Sequence, residues 1–223
     1  MSNKGKIIVI DGLDGSGKST QAPLLLEYLE KKGLKVKLIS FPDYNEPSSA
    51  LVKMYLSGEF SDNAQEVNAY AASSFYAVDR YASFKKFWEQ YYNDGYVIVA
   101  TRYVTSNAIH QMSKLDGKDW DYYINWLEDY EYEKLGLPKP DKVIFLSMSR
   151  EVSQKLLSGR YEGDESKKDI HEKNIKYFDE CIKTSKYAAQ KMGWDVVSCC
   201  DGENPYTVEQ IAQKIRECVD NIL

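Results

Sequence analysis

The stretch Lys6-Ile-Ile-Val-Ile-Asp-Gly12-Leu-Asp-Gly-Ser-Gly-Lys-Ser19 decides how the chain is read. Its four consecutive apolar residues, Ile7 to Ile10, suit a strand buried on both faces of a parallel sheet. Gly12 to Ser19 then form a complete G-x-x-x-x-G-K-[ST] pattern. Glycines let the backbone wrap closely, so that successive N–H groups point at phosphate oxygens. A helix beginning near Gly17 adds the positive end of its dipole. Gly12, Leu13, Asp14, Gly15, Ser16, Gly17, Lys18, Ser19 and Thr20 are therefore expected to cradle the phosphates of a nucleotide. Lys18 would bridge the β- and γ-phosphates, and the Ser19 hydroxyl would ligate Mg²⁺. Pro23 lies near the first turns of the following helix, where lost hydrogen bonds are tolerable.

Outward from this loop, short β-branched runs alternate with longer helical patterns. The strands expected are Lys6–Ile10, Lys35–Phe41, Tyr96–Ala100, Lys142–Ser147 and Trp194–Cys199. The helices expected are Lys18–Lys32, Ala64–Asn93, Val104–Lys114, Trp120–Leu135, Ile170–Met192 and Thr207–Leu223, with Gly33, Gly95 and Gly136 placed to end three of them. Such alternation predicts an α/β fold, a doubly wound five-stranded parallel sheet with helices on both faces. The pattern leaves the order of the strands open. At roughly 100–200 residues per domain, 223 residues without a linker or repeat suit one domain over 1–223.

Composition removes several classes of function. The chain is 43% hydrophobic and 28% charged with a net charge of −5, which disfavours nucleic-acid polymers and anionic membranes as partners. Any anionic ligand then needs a local cluster of cations. Cys181, Cys199, Cys200 and Cys218 contain no C-x-x-C pair and only two histidines are present, so a structural zinc site is not expected. The apolar run near the N-terminus is too short for a signal-peptide core or a membrane span, so a cytoplasmic chain with reduced thiols is expected. No N-K-x-D tetrapeptide for guanine occurs. A small domain with a phosphate loop points to a nucleotide or nucleoside kinase.

Three further clusters bear on the acceptor. Phe41-Pro42-Asp43-Tyr44 ends the second strand, with Glu46 close behind; Tyr76 and Arg80 share a helix face at i,i+4 spacing; and Thr101-Arg102-Tyr103 runs into Ser106-Asn107 and His110-Gln111. In open α/β sheets ligands gather at the carboxyl ends of strands, where these clusters fall or which they face.

Phosphate loop, Phe-Pro segment, F/Y-x-x-x-R helix and R-Y-x-x-S-N segment together resemble the thymidylate kinase family, in its order and spacing over nearly the whole chain. The resemblance implies a homodimeric P-loop kinase that transfers the ATP γ-phosphoryl to dTMP with Mg²⁺, a step of dTTP biosynthesis. It also implies that Tyr76 stacks on thymine, Arg80 donates to a thymine carbonyl and Asn107 approaches the base. Phe41, Pro42 and Tyr44 would line the pocket, Arg102 would clamp the monophosphate with Ser106 nearby, and His110 would sit near the sugar. Asp14 matches an acidic position near the 3′-hydroxyl and the metal. An arginine suits the phosphate-clamping role on physical grounds, since two apposed polyanions repel and a guanidinium binds phosphate through paired planar hydrogen bonds. Other readings stand beside these: Tyr76 as core, Arg80 as an ion pair on a solvated face, Arg102 as a structural ion pair, and His110 as a packed, hydrogen-bonded histidine.

Residues 158–169, rich in charge and flanked by glycine, read as a short lid. The resemblance implies an arginine either in the phosphate loop or in the lid; this phosphate loop holds none, so Arg160 is the expected catalytic cation, with Lys167 and Lys168 in reserve. One departure concerns metal binding. The family usually has Asp where this chain has Thr101, so Mg²⁺ is expected to lean on Ser19, Asp14 and the phosphates, and Thr101→Asp is expected to raise activity at limiting Mg²⁺. Two rivals remain open: a deoxynucleoside kinase, which needs a carboxylate base such as Glu46, and a catalytically silent nucleotide-binding paralogue. The loop Asp201–Tyr206 is the expected edge for adenine.

Overall fold

The computed structural model of the protein describes residues 4–63, 65–160 and 175–223. Five parallel strands form one sheet: β1 (Lys6–Gly12), β2 (Val36–Ser40), β3 (Val97–Thr101), β4 (Lys142–Ser147) and β5 (Asp195–Ser198), in the order β2-β3-β1-β4-β5. Ile10 and Ser40 both lie in register with Thr101, and Gly12 with Leu146, so the carboxyl ends of the strands share one rim.

Alternation along the strands divides the core in two. Ile7, Val9, Ile98, Ala100, Val143 and Phe145 face one side. There they meet α5 (Val104–His110), α6 (Trp120–Glu128) and α8 (Ile175–Met192), through residues such as Ala108, Leu127 and Ala188. Ile8, Ile10, Val97, Val99, Ile144 and Leu146 face the other side, covered by Leu25 and Leu29 of α1 (Lys18–Lys31) and by Ile211, Ile215 and Val219 of α9 (Val208–Asp220). Both faces of β1, β3 and β4 are thus buried, as their unbroken apolar runs require. The expected doubly wound α/β sheet is the one observed.

Several expected boundaries move. The helix expected from Ala64 starts at Ala69 as α3 (Ala69–Ser83), because Asn68 caps it by accepting from the amides of Tyr70 and Ala71. It widens into a π-helical turn at Phe84–Trp88 before α4 (Glu89–Asn93). A second π-helical turn, Asp129–Lys134, follows α6. Two helices not expected are present: α2 (Ala50–Leu56), entered through a 3₁₀ turn at Pro47–Ser49, and α7 (Arg150–Arg160). Gly33 and Gly95 close α1 and α4 with φ of 81° and 82°. Residues 170–174 and most of the expected lid lie outside the described residues.

Candidate active site

β1 delivers the loop Gly12–Gly17 to the sheet's rim. Gly15 has φ 77°, and a Cβ there would lie 2.8 Å from the carbonyl and from the hydroxyl of Ser153 on α7. No side chain fits at that position. Gly17, with φ 92°, caps α1 without any side-chain hydrogen bond, so the helix's first amides need acceptors from elsewhere. Lys18 donates from Nζ to the carbonyls of Gly12 and Leu13, at 2.7 and 2.9 Å, which holds the ammonium across the loop. The Leu13 side chain is buried, leaving its backbone to the site. Ser16 Oγ is buried with no hydrogen-bond partner among the described residues, whereas Ser19 and Thr20 are exposed on the first turn of α1. A polyanion fits this cradle.

Arg102, immediately after β3, has φ 61°, the one left-handed non-glycine residue among those described. Such a backbone is costly for a residue with a Cβ and marks a position fixed by its surroundings. The side chain reaches Asp14 on the phosphate loop through Nη2 and His110 Nε2 through Nη1, the latter at 3.0 Å. Burial alone would lower its pKa, but the carboxylates of Asp14 and Asp11 more than offset this and raise it, so the guanidinium stays charged. Its electrostatic surroundings also include Tyr76 and Tyr44. His110 carries the network onward, Nδ1 lying 2.8 Å from the hydroxyl of Tyr177 on α8. Acceptor-side and loop residues therefore meet at Arg102.

Other expected site residues are engaged in ways the sequence did not reveal. Arg80 is 1% exposed and forms a bidentate pair with the fully buried Glu131, from Nε and Nη2 at 2.7 Å each. Burial would lower the Arg80 pKa, but the adjacent Glu131 carboxylate raises it. It is neither a solvated surface ion pair nor an open guanidinium. Asn107 is buried beside it and donates from Nδ2 to Glu131 at 3.0 Å. Phe41 is buried, its ring centroid 6.1 Å from that of Tyr103. Pro42 is half-buried and Tyr44 exposed at the loop's surface. Ser106 gives its proton to Asp11, 2.8 Å away, which leaves that hydroxyl only acceptor capacity for another group. Tyr76 is half-buried, its ring edge-on to Tyr55 with centroids 6.3 Å apart. The side chain of Arg160, together with Lys167 and Lys168, lies outside the described residues.

Two aspartates were not singled out from the sequence. Asp11, fully buried at the end of β1, accepts from the Gly12 amide at 2.8 Å, from Thr105 at 2.6 Å and from Ser106. It pins α5 against the phosphate loop. Asp79, also buried, accepts from the Asp43 amide at 2.9 Å and from Ser48 at 2.6 Å, so that α3 holds the segment after β2 in place. Asp11 adjoins a recognised motif, and Asp79 precedes Arg80. Nothing in their own spacing distinguished them from surface carboxylates.

Among the described residues no group of three His, Cys, Asp or Glu side chains is placed to hold a metal ion. Ser19 is exposed, Asp14 is paired with Arg102, and Thr101 donates its hydroxyl to Ser40 at 2.7 Å. This donor set suits an ion carried on nucleotide phosphates, with one or two protein contacts, rather than a cage of side chains.

The family model for thymidylate kinase matches residues 10–198. A thymidylate kinase of Caldicellulosiruptor saccharolyticus is 32% identical over 223 residues, spanning 99% of this chain and 98% of its own. The chain belongs to the thymidylate kinase family. The thymidylate kinase of Schizosaccharomyces pombe is 32% identical, over 81% of this chain and 79% of the relative. In fold, the chain resembles the thymidylate kinase from Candida albicans, with a TM-score of 0.71 and 23% identity over 98% of this chain and 92% of that one. As a thymidylate kinase family member it is a phosphotransferase, and a deoxynucleoside kinase or a silent paralogue is not favoured. Glu46, the carboxylate considered as a base for the former, is paired with Lys86 at 2.7 Å. No described helix is long and apolar enough to cross a membrane.

Proposed function

We infer that this phosphotransferase passes the γ-phosphoryl group of ATP to the 5′-phosphate of dTMP, giving ADP and dTDP. The observation that carries the reading is Arg102, held in a left-handed backbone at the end of β3 and tied both to Asp14 of the phosphate loop and to His110 of α5. One guanidinium at that junction offsets the repulsion between the donor's triphosphate and the acceptor's monophosphate and sets their separation. The acceptor phosphate is already ionised near neutral pH, so in-line attack needs no strong general base. Gly12 to Thr20 would hold the donor phosphates and Lys18 would follow the β,γ-bridge. Tyr76 would grip the base by its face, and His110 would fix the reach of Arg102. Mg²⁺, when bound, would neutralise charge on the donor phosphates, and Ser19 and Asp14 are the residues that would hold it. Thr101→Asp then remains the variant expected to raise activity at limiting Mg²⁺. Arg160 is assigned as the lid cation.

A cytoplasmic homodimer completes the reading. The exposed apolar side chains Val78 and Tyr81 of α3 and Phe87 just beyond it support that face as the contact. An ADP-release assay with ATP, Mg²⁺ and a panel of acceptors tests the activity. Turnover with dTMP exceeding that with thymidine by at least a hundredfold is expected. Preference for thymidine, or tight ATP binding without acceptor-dependent turnover, would overturn the assignment.

A further inference from the structure

Glu131 lies on the π-helical turn that follows α6, far in sequence from every motif described above, and its side chain is fully buried. Its carboxylate serves two partners. It accepts Nε and Nη2 of Arg80, at 2.7 Å each, and Nδ2 of Asn107, at 3.0 Å. Asn107 Nδ2 also donates to the carbonyl of Ser73 at 3.3 Å. A carboxylate of this kind only accepts, so at the shorter distance it fixes, with the Ser73 carbonyl, which way the Asn107 amide is turned. With the amino group committed, Oδ1 is left facing away, and it makes no hydrogen bond among the described residues. On Arg80, likewise, Nη1 is the amino group left outside the pairing. Arg80 stands one turn beyond Tyr76 on α3, and Asn107 one turn before His110 on α5. One-turn spacing sets Arg80 on the helix face of Tyr76, and Asn107 on that of His110.

The geometry points to Glu131 as a positioning residue that sets the hydrogen-bond polarity with which Asn107 and Arg80 read the acceptor's base. This rests on the reading under Proposed function. An acceptor at Oδ1 beside a donor at Nη1 matches the edge of a pyrimidine imide, whose ring nitrogen carries a proton and whose neighbouring exocyclic atom is a carbonyl oxygen. Cytosine presents the reverse, a bare ring nitrogen and an exocyclic amine. A site that leaves its own buried polar groups unpaired rejects such a ligand far more strongly than one that merely fits it loosely.

Replacing Glu131 by Gln keeps the shape and changes the polarity. Oε1 accepts from both Arg80 Nη2 and Asn107 Nδ2, and Oε2 from Arg80 Nε, so an amide oxygen kept on Nε sets the new amino group against Asn107 and turns that amide round, and a donor then meets the base. Steady-state turnover of the full chain with dTMP and with dCMP at saturating ATP, alongside melting curves, tests this. Glu131→Gln is expected to lower kcat/KM for dTMP by about thirtyfold and to narrow the dTMP-to-dCMP ratio at least tenfold, with KM for ATP unchanged. Glu131→Asp keeps the charge beside Arg80 but withdraws it by one methylene from Asn107; it is expected to fold and to narrow the ratio too, and it decides the matter if the Gln variant does not fold. Equal losses for the two acceptors, or a ratio within threefold of wild type in a folded variant, would reduce Glu131 to a buried counter-ion. Wild type turning over neither nucleotide would instead sink the proposed activity, a separate and distinguishable failure.

Discussion

Arg102 combines an unfavourable backbone with a charged side chain that joins two halves of the site. Both Arg102→Ala and Arg102→Gly remove the guanidinium and are expected to lower kcat/KM for dTMP by about 10²–10³-fold, with ATP binding nearly intact. They differ in stability. At φ 61° a Cβ is strained and glycine is at ease, so the Gly variant should be the more stable of the two by about 1 kcal/mol in urea titrations. Lys114 offers a second test. Its Nζ donates to the Tyr55 hydroxyl at 2.8 Å and the Val67 carbonyl at 2.9 Å, yet burial lowers its pKa to about 7. From pH 7 to 10.5 the unfolded chain therefore holds a proton that the folded chain lacks, and stability rises with pH through that window. Relative to Lys114→Met, the wild type should gain about 1–3 kcal/mol between pH 6.5 and 9.5. The cysteines carry no comparable chemistry: burial pushes the thiols of Cys181 and Cys199 up to about 12.

At the scale of elements, local chemistry explains where the sequence was legible. The phosphate loop and the strands β1, β3 and β4 were readable because a glycine pattern and unbroken apolar runs have few other uses. The capping role of Asn68 has no partner in sequence to announce it, and among the described side chains of α7 only Val152, Ser153 and Leu157 are buried, too sparse a stripe to stand out. The partnership of Arg80 with Glu131 was not legible at all, since it joins α3 to a π-helical turn across the core. Sequence spacing placed Arg80 one turn from Tyr76 correctly but said nothing of what its fork would meet. The start of α9 gives a clean test of capping. Thr207 accepts from the Gln210 amide at 3.2 Å while the Gln210 side chain accepts from the Thr207 amide at 2.9 Å. Thr207→Ala should cost about 1 kcal/mol and lower Tm by about 2–4 °C, without altering kcat.

For the molecule as a whole, the proposed function places nucleotide and acceptor at the rim that β1, β2 and β3 share, so occupancy should report on global stability. With each ligand at a hundredfold over its Kd, each binding step adds about 2.7 kcal/mol, a rise in Tm of about 5–10 °C per ligand in scanning fluorimetry. Absence of any shift with dTMP, where ATP gives one, would place the acceptor elsewhere. The strand order carries one more consequence. β1 is synthesised before all of its neighbours, yet it pairs with β3 on one side and β4 on the other. During translation its Ile-Ile-Val-Ile run emerges with neither flanking strand available, and the phosphate cradle stays open until Phe145 and Leu146 have left the ribosome. The first of the five strands to be made is thus among the last completed, and it is there, rather than at the sheet's edges, that a nascent chain most needs a chaperone's cover.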